Sequence, residues 1–156
     1  MGLVTRAALI LFVLDQAVKI FVVQWLGLAH RLAIDVVPPF FNLRMAWNRG
    51  MNFGLFANDA GIVRWGLVVI ALAVSAWVLW WVRRLPQRPA VLISAGVLVG
   101  GALGNAVDRV VYGAVADFIN MSCCGLTNPF AFNLADIGIF AGAFGLVLFS
   151  GRDKVS

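Results

Sequence analysis

Asp117, in Val115-Ala116-Asp117-Phe118, and Asp136, at the end of Phe132-Asn133-Leu134-Ala135-Asp136, lie in surroundings too apolar for ordinary surface carboxylates. A carboxylate at the centre of a lipid-exposed helix costs roughly 2.5 to 3.5 kcal/mol on insertion scales, so an acid kept at membrane depth usually has a task or a partner. Two such acids suggest one shared task. Like charges held about 3 Å apart do not both ionise easily, and low dielectric raises at least one pKa further, so the pair shares a proton. The ionised member can then take a proton from water. The protonated member can polarise a peptide carbonyl and later help protonate the leaving amine. Hydrolysis of this kind requires no metal and no organic cofactor.

A dry site also needs hydrogen bonds to hold a charged intermediate, and asparagines are the candidates. Asn133 lies three residues before Asp136, Asn48 ends a strand-like stretch, and Asn105 precedes Asp108 by three. Asn105, Asp108 and Arg109 read equally well as an internal hydrogen-bonded knot that pins helices together, since Asp108 and Arg109 point to different sides of a helix.

The elements that position these residues are membrane spans. Of the 156 residues, 62% are hydrophobic and 12% charged, with mean hydropathy +0.94. A soluble domain of this length cannot cover that much apolar surface. Four apolar stretches, 8–28, 62–82, 90–107 and 132–150, are each near the ~20 residues that cross a bilayer as helix. The expected fold is an all-α, four-helix membrane bundle in one domain over 1–156. A small β-like platform and a short interfacial helix, within about 29–61, are expected between the first two helices. The net charge of +5 reads as membrane topology and not as a nucleic-acid surface. Arg6, Arg83, Arg84, Arg88, Arg152 and Lys154 put both termini in the cytoplasm and the two aspartates near the outer surface.

The first span could be read as a cleaved signal peptide. Asp15, Gln16 and Lys19 argue for a retained helix, because an Asp-Lys pair at i, i+4 neutralises charge inside the membrane. In the outer segment, Phe41, Leu43, Met45 and Trp47 alternate with Asn42, Arg44, Ala46 and Asn48, as in a half-buried strand. Pro38-Pro39 stops any helix before it, and Met51 to Phe56 is the expected interfacial turn of helix. Gly96, Gly100 and Gly104 recur every four residues and mark a helix-packing face. Continuing the third span through Ile119 would make about 45 Å of helix at 1.5 Å per residue, well beyond a ~30 Å core. The chain must therefore bend near Tyr112-Gly113, leaving Asp117 on non-helical or newly started backbone. Cys123 and Cys124 are adjacent, so a bridge would be strained, and they read as small interfacial apolar residues. With His30 the only histidine, neither a Cys-His pair nor a metal site is supported.

Gly100-Gly101-Ala102-Leu103-Gly104-Asn105-Ala106-Val107-Asp108-Arg109, Val115-Ala116-Asp117-Phe118 and Phe132-Asn133-Leu134-Ala135-Asp136 together resemble the signal peptidase II family, the bacterial lipoprotein signal peptidases. Asp15 with Lys19, and Asn48-Arg49-Gly50, resemble its remaining motifs. The resemblance covers nearly the whole chain, in the right order. It implies an aspartic endopeptidase of the bacterial cytoplasmic membrane, with Asp117 and Asp136 as the catalytic dyad. The implied site-supporting residues are Asn48, Gly50, Gly104, Asn105, Asp108, Arg109, Asn133 and Ala135, with Asp15 and Lys19 structural. The implied substrates are prolipoproteins whose future N-terminal cysteine carries diacylglycerol, cut just before that cysteine by a monomeric enzyme among membrane lipids. Met51-Asn52 and Ile137 depart from the small residues and small hydroxyl residue usual in the family. Two other classes stay open on residues alone: a proton or ion carrier using Asp15, Lys19, Asp108 and Arg109, and a non-enzymatic assembly protein.

Overall fold

Four apolar runs free of internal proline become four long helices, as the hydropathy pattern requires. The computed structural model of the chain describes residues 1–50, 60–84, 88–125 and 128–150. Helix α1 (Gly2–Lys19) widens into a π-helical turn, Ile20–Trp25, and a four-residue helix, α2 (Leu28–Arg31), follows. Strands β1 (Ala33–Val37) and β2 (Phe41–Asn48) form a hairpin. Helices α3 (Ala60–Arg84) and α4 (Pro89–Tyr112) come next, then strand β3 (Val115–Asn120) and helix α5 (Leu134–Ser150). Three of the long helices, Gly2–Trp25, Gly61–Arg84 and Pro89–Tyr112, are long and apolar enough to cross a membrane, and α5 is an equally apolar helix of 17 residues.

Two boundaries differ from expectation. The first helix starts at Gly2 and not near Ala8, because nothing in residues 2–8 breaks a helix. The third runs five residues past Val107 to Tyr112. It stops where expected, at Gly113, whose φ of +79° is a left-handed C-cap that glycine adopts without strain. The expected interfacial helix at Met51 to Phe56 lies outside the described residues.

Helix α4 is the axis of the bundle. About two-thirds of its apolar stretch, 67%, is buried, against 17% for α1 and for α3, so the other helices pack around it. Its glycines make the close approaches. A Cβ on Gly100 would lie 2.5 Å from the Ala8 carbonyl oxygen of α1, and one on Gly104 would lie 2.7 Å from Asp15 Oδ2. The i, i+4 stripe is therefore the seat of α1, while neighbouring Gly101 faces α5, 2.5 Å from the Ala135 oxygen. Gly100→Ala is expected to destabilise the bundle, because overpacking costs ~1–3 kcal/mol and exceeds the ~1 kcal/mol gained in helix propensity. The check is a thermal midpoint in detergent, with Gly66→Ala as control because open space surrounds Gly66. A midpoint for Gly100→Ala at or above wild type would overturn this contact.

The platform is an antiparallel sheet in the order β1-β2-β3. The third strand was not foreseen as such; it is the non-helical stretch expected after the bend, paired to β2 with Ala46 opposite Asp117. Phe132 adds a single bridge to Ile119 on the other side. The strict alternation expected along β2 fails. Asn42 and Leu43 are both buried, and Trp47 is 41% exposed. The cause is a register shift between Leu43 and Ala46, where an extra residue in β2 reverses which face later side chains take. Val22, Leu28, Leu43 and Phe118 form the apolar cluster that fastens the sheet to the end of α1. Cys123 and Cys124, read from the sequence as small interfacial residues with their bonding open, are joined in a disulfide at the turn after β3.

Candidate active site

Asp117 is held by the sheet and Asp136 by the first turn of α5. Asn133 links them. As the residue before α5, Asn133 accepts the Asp136 N–H on its Oδ1 at 2.9 Å, and its own N–H donates to Asp136 Oδ2 at 3.1 Å. This reciprocal cap satisfies helix-end donors and fixes the Asp136 carboxylate at the same time. The cap leaves the Asn133 amide nitrogen free to donate to Asp117 Oδ1 at 2.6 Å. One fully buried asparagine thus orients both acids.

Asn48 approaches Asp117 from the sheet. Its Oδ1 accepts the Gly50 N–H at 2.9 Å, which turns its Nδ2 onto Asp117 Oδ2 at 3.0 Å. Gly50 adopts φ +77°, and a Cβ there would collide with Leu67 of α3. Asn-x-Gly is therefore a turn chemistry that aims an amide. Asn105 does the same for the second acid. Its Oδ1 accepts from Lys19 Nζ and from Asn133 Nδ2, both at 3.2 Å, so its Nδ2 is committed to Asp136 Oδ1 at 2.8 Å.

Beneath the pair lies a buried ion cluster. Lys19 Nζ sits 2.8 Å from Asp15 Oδ2 and 2.8 Å from Asp108 Oδ2, and neither acid has measurable exposure. Both carboxylates also hold backbone. Asp108 Oδ2 accepts the Ala116 N–H at 3.2 Å, next to Asp117, and Asp15 Oδ1 accepts the Ala135 N–H at 2.9 Å, next to Asp136. The knot expected of Asn105 and Asp108 is real, and Asn105 serves the site as well. Arg109 joins the knot at its edge, half-buried, where its charge interacts with Asp117, Asp136 and Asp108. Its Nη1 donates to the Asn105 carbonyl, whereas its buried Nε has no partner among the described residues.

Burial of Asp117 comes first, and the Asp136 charge second, in pushing its pKa up to about 6, against the hydrogen bonds from Asn48 and Asn133 and the Lys19 charge. The site therefore holds a carboxyl that keeps its proton up to about pH 6 beside a second carboxyl anchored by two N–H donors, a pairing suited to acid and base roles.

Two expected site residues, Gly104 and Ala135, pack rather than touch the acids: Ala135 Cβ would lie 3.6 Å from a Cβ on Gly104. One contributor was underrated. Gln16, read as an interruption of the first span, donates to Asp108 Oδ1 at 3.0 Å and to Asp15 Oδ2 at 3.2 Å. Its signal was its place beside Asp15 on an otherwise apolar helix. The dual role of Asn133 was also readable, since Asn-x-x-Asp before an apolar run has capping-box spacing.

Residues 7–151 match the family model described as Signal peptidase (SPase) II. The chain is 44% identical over 148 residues to the lipoprotein signal peptidase of Methylobacterium sp. (strain 4-46), covering 95% of this chain and 87% of that one. It is 38% identical over 148 residues to the lipoprotein signal peptidase of Pseudomonas aeruginosa (strain PAO1), covering 94% and 86%. In fold it is similar to a bacterial membrane enzyme solved by the in meso method at 1.9 Å resolution, with TM-score 0.79 at 23% identity, over 99% of this chain and 96% of the other. With the family model matched across nearly its whole length, the chain belongs to the signal peptidase II family of aspartic peptidases.

Proposed function

We propose that Asp117 and Asp136 are the catalytic pair with which this lipoprotein signal peptidase cuts prolipoproteins just before a diacylglyceryl-modified cysteine. The observation that carries the reading is Asn133, which binds both carboxylates at the junction of bundle and platform. Asp136 is the base. The N-terminal dipole of α5 favours negative charge in its first turn, and both carboxylate oxygens accept N–H bonds. Asp117, whose proton burial retains up to about pH 6, is the acid.

In the proposed reaction, Asp136 takes a proton from water as the oxygen attacks the scissile carbonyl carbon. Asp117 gives its proton to the carbonyl oxygen, so the tetrahedral intermediate forms without a free oxyanion. As the C–N bond breaks, Asp136 gives the proton it took from water to the leaving amine, which becomes the new N-terminus, and Asp117 takes back a proton from the gem-diol, so both acids return to their starting states. The Asn48 and Asn105 amides hold the two carboxylates in place and need no reorganisation during the reaction.

The apolar exterior, with Phe140 76% exposed and Val147 75% exposed, supports a substrate approached within the bilayer. The signal helix would lie among the spans, its cleavage site at the level of the sheet and its lipid beside it. The basic ends of α3 and the segment after α5 support cytoplasmic termini, with the acids toward the outer leaflet. Each protomer carries both acids and all their partners, which supports a monomer as the working unit.

A gel-shift assay of purified enzyme with a diacylglyceryl-modified prolipoprotein and its unlipidated form tests the substrate. Cleavage of the lipidated form alone is expected. Equal cleavage of both forms would remove the lipid from the recognition, and no cleavage by folded enzyme would overturn the assignment.

A further inference from the structure

At the end of the bundle opposite the acids, α3 and α5 part over α4 and leave a groove of about 360 Å³. Its walls are Trp77 and Trp81 of α3, Leu98 of α4, and Ala143, Leu146 and Val147 of α5. The volume is in the range of small-ligand pockets, ~300–1,000 Å³. The lining is apolar except for Ser150, whose hydroxyl is already used on the Leu146 carbonyl. Nothing in the walls reads a polar ligand, so the occupant is a hydrocarbon chain.

Charge at the mouth selects the rest of the molecule. Arg84 follows Trp81 by three residues and Trp77 by seven, so it continues the groove-lining face of α3 at the end of the helix. Its guanidinium stacks on Trp80, 3.8 Å from the ring centroid, which holds the long side chain at the edge of the bundle. Arg83, two residues after Trp81, lies on the opposite side of α3 from the groove. No acid occurs in the last two turns of α3, the first turn of α4 or the last turn of α5. A basic mouth on an apolar slot between spans matches an anionic lipid headgroup above its acyl chain. A signal helix fits less well, because its amino-terminal region is basic and Arg84 would repel it.

We infer that the α3/α5 groove is a binding site for an anionic phospholipid, with one acyl chain against Trp77 and Trp81 and the phosphate at Arg84. The site is separate from the acids and does not depend on the peptidase reaction.

The test is photo-crosslinking of the full chain in nanodiscs, with phosphatidylglycerol or phosphatidylcholine carrying the same mid-chain diazirine, followed by peptide mapping. The phosphatidylglycerol probe is expected to label the segments 74–81 and 143–147 about fivefold more than the phosphatidylcholine probe, the factor that one arginine near an anionic group supplies. Unlabelled phosphatidylglycerol should compete. Arg84→Gln, at an exposed position, should reduce labelling to the phosphatidylcholine level while Arg83→Gln on the opposite side of α3 does not, and Ala143→Phe should reduce it for both probes. Equal labelling by the two probes in wild type would overturn the headgroup site. Labelling spread over other helix faces would overturn the groove, and displacement by a basic signal peptide would assign it to substrate.

Discussion

Asp136→Asn and Asp117→Asn are each expected to abolish prolipoprotein cleavage, lowering kcat/KM by ~10²–10⁴-fold or more while the protein stays folded. Asparagine keeps the shape of aspartate and can still meet some of the same hydrogen bonds, but it can neither take a proton from water nor deliver one. The double substitution should be no worse than either single, because the two acids work as a unit. The pH dependence follows from Asp117, whose pKa is raised to about 6. Below that value it keeps the proton it must donate, and above it the proton is lost and the acid role fails. kcat/KM, which reports the free enzyme, should therefore fall as pH rises through about 6. The same limb in kcat should lie higher, because bound lipid and peptide exclude further water and disfavour the charged form. In stability the sign is the same: the raised pKa favours folding below the unfolded aspartate value, and that contribution is lost as pH climbs through about 6. Cleavage retained by either asparagine variant, or a kcat/KM that rises through that region, would contradict the assignment of acid and base.

Lys19→Met should be among the most damaging single changes away from the reacting groups. It removes the one cation that lies 2.8 Å from both Asp15 and Asp108, leaving two buried carboxylates uncompensated. Breaking a buried ion pair on one side costs ~3–5 kcal/mol. Asp15→Asn should cost less, since Lys19 keeps Asp108. From the sequence, an Asp15-Lys19 pair alone predicts that replacing both by apolar residues preserves activity better than replacing one. The second acid changes that expectation: Asp108 would still be stranded, and Asp15 would no longer hold the Ala135 N–H. Substitution of all three charges should recover more midpoint than the Asp15/Lys19 pair of changes does. Thermal midpoints in detergent decide it, and a double variant as stable as wild type would refute the three-membered cluster.

The spans, the bend at Gly113 and the apolar setting of the two acids were legible because each rests on local chemistry. Twenty apolar residues, a left-handed cap and an acid in an apolar setting all announce themselves within a few positions. Partners brought together across the fold were less legible. Lys19 showed its i, i+4 partner Asp15 but not Asp108, 89 positions on, because only the α1 to α4 seat brings them together. The faces of β2 were misread because alternation is a local rule and the extra residue in that strand is set by pairing with β3. Gln16 looked incidental until the cluster it closes was in view.

The bond from the Ala135 N–H to Asp15 spans 120 positions of chain, from the first helix to the last. Translation delivers those helices in that order. While α5 is still in the ribosome the nascent chain has Asp117 but lacks Asp136, Asn133 and the helix end that Asp15 is waiting to cap. The first helix can be inserted early and its lysine neutralised by Asp15 and then Asp108, yet the proposed acid pair is not assembled until α5 docks. The acid pair thus depends on the seating of α5 against α1 and α4, and not on either helix alone.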